Sequence, residues 1–544
     1  MSNSRVLSYI SIIIIRALDI LNSWTMKHFL LTITSLLFIG NLTSQTGIQL
    51  NTPDALAALT LYQNWDDTYL VDNCGNLVNE WRNLDDTDNH PKLLPNGRIL
   101  YIEDNAIYER DWDNNIVRTT YHDASNLTLE YEIISLPNGN YLCLGRRIEP
   151  LLFFEERGYN LSLSDYEWDD TVVEIVPETG EIVWEWRISD HIIQERDTTK
   201  MNYGVVADNP NLLDLDAISD FDWDHEESFM INGMDYNPEL DQIALSVRKI
   251  SEVVIIDHST TIEESSTSEG GLYGKGGDLL YRWGNPQNYG QGDQNDRVLY
   301  YQHNPNWIEY GPYKGGLIIY NNGLNRPGTS FFDRYSNVEI VTTDINPDGS
   351  YNKIDDAPYG PMSSTLTLSG IESDLDFYSG YTSGAKVLPN GNIYITVGVS
   401  LDFMEVDLQG NKKWQYQADR ESYIFRSEKY SIDYPGFEDK DLTAFGTVEV
   451  PSSNYDCSYF GVSTADLEFT SSSIKLTQHP DELRLESVDE TFVYELFNTN
   501  GQKTSSSNTL SQSHRIITHD LTSGMYLILI KKKDSYETIK VLIN

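Results

Sequence analysis

The 544-residue chain is short of positive charge, with 38 Lys and Arg against 83 Asp and Glu, a formal net charge of -45. A surface this acidic repels a phosphate backbone, which excludes nucleic acid as the main partner. Cysteine is scarce too. Cys74, Cys143 and Cys457 are the full set, and they form no CxxC. They are too few for a disulfide scaffold and wrongly spaced for a zinc or redox centre. One disulfide in an oxidising compartment would leave an odd thiol. The histidines His90, His122, His191, His225, His258 and His303 have no Cys or His at metal-ligand spacing, so no metal is expected. No Gly-x-Ser-x-Gly elbow and no phosphate-binding glycine loop occurs. Beyond the amino-terminal region no run is apolar enough to span a bilayer, and no long segment has the 3.6-residue period of an amphipathic helix.

What is present is ample apolar and aromatic material: 40% hydrophobic residues, 35 Tyr and 11 Trp. Such a composition can bury a core, so general disorder is excluded. Much of the acid is Asp beside Asn or Gly, which is turn chemistry, and the net charge reads as a solubility device.

Met26-Lys27-His28 precedes an apolar run, Phe29 to Ile39, and then Gly40-Asn41-Leu42-Thr43-Ser44-Gln45. A basic head, a short apolar stretch and small residues describe a secretory signal peptide over 26–45. Residues 1–25 then read as a misassigned extension. The rival is a membrane helix over 8–22, which Arg16 and Asp19 make costly. The mature chain is expected to be secreted or at the cell surface, via the periplasm, with no permanent membrane anchor.

The body repeats a phrase. Leu94-Pro95-Asn96-Gly97 recurs as Leu136-Pro137-Asn138-Gly139 and Leu388-Pro389-Asn390-Gly391, each followed by an alternating strand. Asn-Gly between apolar alternations is a strong hairpin signal. A second phrase puts Gly before a strand ending in Trp or Tyr, at Gly75–Trp81, Gly180–Trp186, Gly277–Trp283 and Gly410–Tyr416. The first copies are spaced like propeller blades of ~40–50 residues, and later ones carry insertions. The expected fold is all-β: a six-bladed β-propeller over 46–455 with a small C-terminal β-sandwich over 468–544. An array of sandwiches is the alternative.

The tail carries Gly501-Gln502-Lys503, Gly524-Met525-Tyr526 and a basic close through Lys531-Lys532-Lys533 to Lys540-Val541-Leu542-Ile543-Asn544. It resembles the sorting domain of proteins exported by the type IX secretion system. That resemblance implies the type IX machinery as a partner.

Three long phrases lie in the middle of the body. They are Asp235-Tyr236-Asn237-Pro238-Glu239-Leu240-Asp241-Gln242, Ile256-Asp257-His258-Ser259-Thr260-Thr261 and Gly274-Lys275-Gly276-Gly277-Asp278-Leu279-Leu280-Tyr281-Arg282-Trp283-Gly284-Asn285-Pro286. Together they resemble the bacterial arylsulfate sulfotransferase family of exported six-bladed propellers. The resemblance implies transfer of a sulfuryl group from a phenolic sulfate to a phenol, with no nucleotide donor and no cofactor. A histidine takes the group and hands it on, which splits one hard step into two. An arginine fork holds the sulfuryl oxygens.

Carried onto this sequence, His303 matches a funnel histidine, and Arg326 in Asn322-Gly323-Leu324-Asn325-Arg326-Pro327 matches the sulfuryl-binding arginine. Asn232 matches an asparagine that follows a family histidine by two positions, and Met230 stands in that histidine's place. Asn322, Asn232 and Met230 are the expected substrate contacts, and His225 is the substitute for the histidine missing at Met230. In Gly398-Val399-Ser400, followed by Phe403-Met404-Glu405-Val406, the family's nucleophilic histidine is replaced by Ser400. Glu130-Tyr131 stands where relatives carry a histidine pair. His258 reads as structural. The expected activity is sulfuryl transfer impaired by Ser400. The alternative is a non-catalytic propeller that binds an aromatic, anionic or protein ligand.

Overall fold

The computed structural model describes residues 46–84, 90–159, 166–218, 229–330, 332–371, 375–419 and 423–449 in the body, and 474–479, 482–487, 491–498, 503–518, 521, 524–532 and 536–543 in the tail. The expected extension (1–25), the expected signal peptide (26–45), His225 and Cys457 lie outside the described residues. Two compact units divide near residue 462.

The first unit consists largely of antiparallel meanders. Sheet I holds Ala58–Asn64, Asp67–Asp72 and Asn76–Arg82, and sheet II holds Lys92–Leu93, Ile99–Glu103, Ala106–Arg110 and Ile116–Thr120. Sheet III holds Leu127–Ser135, Tyr141–Pro150, Tyr166–Ile175 and Ile182–Arg187. Sheet IV holds Ile231–Asn237, Gln242–Val247, Glu252–Asp257 and Tyr281–Trp283. Sheet V holds His303–Trp307, Leu317–Asn321, Asn337–Val341 and Leu366–Ser369. Sheet VI holds Gly384–Val387, Ile393–Val397, Asp402–Val406 and Lys412–Gln417.

Both faces of these sheets are apolar because each sheet packs on two neighbours. In sheet IV, Ile243 and Leu245 turn toward Leu142 and Trp186 of sheet III, while Ala244 turns toward Leu317 and Ile319 of sheet V. The two-residue period of a strand sorts its side chains between the two cores. The same pairing continues from V to VI, where Ile318 and Ile340 meet Ile393 and Ile395. Sheet VI meets sheet I through Phe403 and Trp414 against Tyr62 and Val71. Sheet I meets II through Trp81 and Ile99, and II meets III through Ile102 and Tyr141. The sheets therefore form a closed ring, the propeller architecture.

Distant segments zip the ring. Ser427–Ser431 pairs with Ala58–Asn64 as the inner edge of sheet I, and Gly47–Asn51 pairs with Lys412–Gln417 of sheet VI. Closure of this kind leaves few exposed strand edges.

The Pro-Asn-Gly phrases are the hairpins between first and second strands. Gly97, Gly139 and Gly391 have φ of 78°, 91° and 82°, which a side chain would strain. Their asparagines do a second job. Asn138 and Asn140 both donate to Glu174 Oε1, at 2.9 and 2.5 Å. Asn390 and Asn392 both donate to Glu405 Oε1, at 2.9 and 2.8 Å. These two hairpin tips are thus pinned to the third strand of their own sheets. Part of the acid content is turn-forming, as the sequence suggests. Asp72 Oδ1 accepts from the backbone of Cys74 and Asn76, and Asp407 Oδ1 from Gln409 and Asn411. Cys74 is in a disulfide, whereas Cys143 is a free, buried thiol.

The second unit has two sheets. Ile474–His479, Glu482–Ser487 and Ser513–Ile517 form one, and Lys503–Ser511, Phe492–Asn498, Gly524–Lys531 and Tyr536–Ile543 form the other. Leu483, Leu485, Phe492, Leu496 and Ile528 share a single core, so this unit is a β-sandwich. Among the described residues no helix is long and apolar enough to cross a membrane.

Candidate functional site

The first strands of sheets III, IV, V and VI run side by side around the inside of the ring. Each begins or bends at residues in the left-handed region: Tyr131 (φ 62°), Met230 (58°), Tyr301 (56°) and Asn304 (52°), then Thr382 (57°) and Ser383 (84°). Such residues cost roughly 1–3 kcal/mol each and recur where side chains must be aimed rather than merely packed.

His303 is the best-organised of the expected site residues. Asn322 Nδ2 donates to the carbonyls of Ser379 (2.7 Å) and Thr382 (3.0 Å), which leaves its Oδ1 as the acceptor. His303 Nδ1 must therefore donate to Asn322 Oδ1, 2.8 Å away. Nε2 then carries the lone pair, and the Thr382 N–H donates to it at 3.2 Å. Burial, reinforced by the charge of Arg248, pulls the His303 pKa down to about 3, so the ring is neutral at physiological pH.

Asn232 and Met230 belong to the same neighbourhood. Asn232 Nδ2 donates to the carbonyl of Gln302 at 2.9 Å, while its Oδ1 is buried with no partner among the described residues. The Met230 N–H donates to Asp170 Oδ2, and Arg248 Nη1 approaches the Met230 sulfur at 3.6 Å.

Arg326 follows the turn after the second strand of sheet V. Its guanidinium lies over Tyr335 and Tyr300, at 4.2 and 5.5 Å from the ring centroids. Its Nη2 is buried without a hydrogen-bond partner. Ser400 is half-buried in the turn after Ile393–Val397, and its Oγ donates to Val397 O at 3.4 Å. That turn touches the segment that holds His303: Gly398 N donates to Ser383 Oγ and Val399 N to Ser379 Oγ. Gly398 is required there, since a Cβ would fall 2.2 Å from Thr382 Oγ1 and from Ile424 O. The structure thus joins His303, Asn322 and the Ser400 turn through residues 379–383, and Asn232 reaches the His303 strand through Gln302. Arg326 approaches from the Tyr300 side.

Several residues at the same place were not singled out from sequence. Phe425 and Arg426 lead into Ser427–Ser431, the strand that closes sheet I. The Phe425 ring lies 5.8 Å from that of His90, 5.7 Å from Tyr131 and 6.4 Å from His303. Arg426 Nη1 and Lys92 Nζ grip the two oxygens of Glu132, and His90 Nε2 stands 3.5 Å from it. Burial raises the Glu132 pKa, but Arg426 and Lys92 outweigh it and leave the carboxylate at about 2. His90, buried beside Arg426 and Lys92, is lowered to about 3. A signal did exist. His90 and Glu132 each stand four residues before the leucine of a Leu-Pro-Asn-Gly phrase, so the repeat register marks both as axial.

His258 is structural as expected, held between Asp241 (2.7 Å) and Glu174 (3.1 Å). Among the described residues no group of three His, Cys, Asp or Glu is placed to hold a metal ion.

No curated protein matches the chain. Among solved structures, a Bacteroides caccae protein of unknown function is 10% identical, over 69% of this chain and 99% of that one, with a TM-score of 0.39. The β-propeller domain of Myceliophthora thermophila Cps50 (Swd1) is 8% identical, over 72% and 95%, with a TM-score of 0.35. The WD40 domain of Toxoplasma gondii coronin is 8% identical, over 69% and 75%, with a TM-score of 0.30. The model of the secretion system C-terminal sorting domain matches residues 479–544, which marks the protein for type IX export to the cell surface or beyond. The model of the arylsulfotransferase (ASST) family matches residues 45–430, and the chain belongs to that family.

Proposed function

We propose that the protein is an exported arylsulfotransferase that moves a sulfuryl group from a phenolic sulfate to a phenol at His303. The observation that carries this reading is the fixed tautomer of His303. Asn322 accepts the Nδ1 hydrogen bond and burial keeps the ring neutral, so Nε2 carries the lone pair, which the Thr382 N–H must release for attack. Nε2 attacks sulfur as the aryl S–O bond breaks and the phenolate leaves with the electron pair. The acceptor phenol oxygen then attacks sulfur, the S–N bond breaks, and the acceptor's proton passes to solvent. Arg326 holds sulfuryl oxygens through both steps, where charge-assisted hydrogen bonds are strongest. Phe425, Tyr131 and Tyr300 supply aromatic surface for the two phenols.

Ser400 in the place of the family's nucleophilic histidine limits the rate. Its hydroxyl donates to a carbonyl of the preceding strand and not to an imidazole, so nothing activates it as a nucleophile. The same observation favours a second reading, a propeller that binds aryl sulfates without turning them over. Phenol release from a chromogenic phenyl sulfate with excess phenol acceptor separates the two. The expected result is slow but saturable release that falls at least about 10²-fold in His303→Ala. Binding of the ester with no release in the unaltered protein would favour the second reading.

A further inference from the structure

Arginines in this protein present the edge formed by Nε and Nη2 to a pair of oxygens. Arg147 gives that edge to the two oxygens of Glu185, and Arg282 gives it to those of Glu252. Arg187 gives it to Asp169 and Glu149. Arg426 differs. Its Nη1 is tied to Glu132, yet both Nε and Nη2 are buried and no acceptor for either lies among the described residues. The side chain is only 3% exposed. A buried fork without acceptors is costly and persists in native proteins where something outside the chain satisfies it.

The surroundings accommodate this arginine. A Cβ on Gly384 would approach Arg426 Cδ to 3.1 Å and Asn304 Oδ1 to 2.4 Å, so the glycine makes room for the stem. A narrow cleft bounded by Asn304, Lys386, Thr396 and Glu428 reaches Arg426. His90 stacks on Phe425 with ring centroids 5.8 Å apart and its Nε2 stands 3.5 Å from Glu132, the carboxylate that Arg426 holds, with neither ring nitrogen in a hydrogen bond. A neutral imidazole always keeps one N–H to offer.

We propose that the Nε–Nη2 edge of Arg426 receives two oxygens of a sulfate-type oxyanion, with His90 as the adjoining donor and Phe425 as the aromatic wall for the group that carries it. The fork geometry fits two oxygens of one tetrahedral or planar anion at once, which a point charge cannot match. This site deepens the sulfuryl-transfer reading, on which it rests for the ester as ligand. It adds a second arginine, at the start of the strand that closes sheet I, to the groups that hold the sulfuryl oxygens.

Two measurements on the full chain test it. Crystals soaked in selenate are expected to show an anomalous peak within hydrogen-bond distance of Arg426 Nε and Nη2. In calorimetry, Arg426→Lys, which keeps the charge and the partner Glu132 but loses the fork, is expected to weaken inorganic sulfate and phenyl sulfate at least about tenfold. Weakening of the free ion alone would assign the site to inorganic sulfate rather than to the ester. Absence of selenate from Arg426 in the unaltered protein, or equal affinities in Arg426→Lys, would overturn the proposal. Phenol release that persists without an anion at Arg426 would sink this site and leave the sulfuryl-transfer reading standing. An anion at Arg426 without any phenol release would do the reverse.

Discussion

At His303 a single amide decides the chemistry. Asn322 spends both its N–H groups on carbonyls, so its oxygen can only accept, and the histidine proton is driven to Nδ1. Ser400, linked to the same segment through Gly398 and Val399, has no such arrangement around its hydroxyl. Restoring an imidazole there is expected to raise phenol release on the order of 10²-fold in Ser400→His, since a positioned nitrogen nucleophile or base contributes on that scale. Initial rates with the chromogenic ester check this, and an unchanged rate would show that the position takes no part. Sequence alone singled out His303, Asn322 and Ser400 because contiguous phrases carry them. It could not single out Arg426 and Phe425, because their strand completes a sheet begun near residue 58, and only closure of the ring brings them to the axis.

At the scale of the elements, pinned hairpins hold neighbouring sheets in place. Glu174 takes two asparagines of its own sheet's hairpin and also meets His258 Nε2 from sheet IV, while His258 Nδ1 meets Asp241. Both ring nitrogens face carboxylates, so both donate and the ring is charged. Burial opposes that charge, but the hydrogen bonds to Asp241 and Glu174 outweigh it and raise the pKa to about 9. The stabilisation from His258 is therefore complete below the unfolded pKa of ~6.5 and fades as pH rises through about 9. Glu174 is held below its ordinary range by His258 against its burial, and Asp241 chiefly by its His258 hydrogen bond, so their share fades on acidification. His258→Gln is expected to lose about 2 kcal/mol of unfolding free energy at pH 6 and markedly less at pH 10. Urea denaturation at the two pH values reads the difference; an equal loss at both would show that the clamp is uncharged. The hairpins themselves were legible, since Pro-Asn-Gly states its own turn. Their glutamate anchors were not, because Glu174 lies a full strand and more beyond Asn138.

Across the whole molecule, the acid-rich composition resolves into turn aspartates, anchors for hairpin asparagines and a buried hub at Glu132. Four of the scarce basic residues lie at the inward face: Arg248, Arg426 and Lys92 act on the axial histidines, and Arg326 faces aromatic rings with Nη2 unpartnered among the described residues. The ring was readable from its repeats and the sorting sandwich from its closing strands. The inward face was not, since it is assembled from the first strands of different sheets and from the strand that zips the ring. The most direct test of His303 as the group that takes the sulfuryl is rapid quenching of the full chain with excess phenyl sulfate and no acceptor, followed by peptide mapping by mass spectrometry. A sulfuryl adduct on the His303 peptide, lost when phenol is added, is the expected result. Phenol release with the adduct on another residue, or with no adduct under conditions that preserve sulfated histidine, would contradict it.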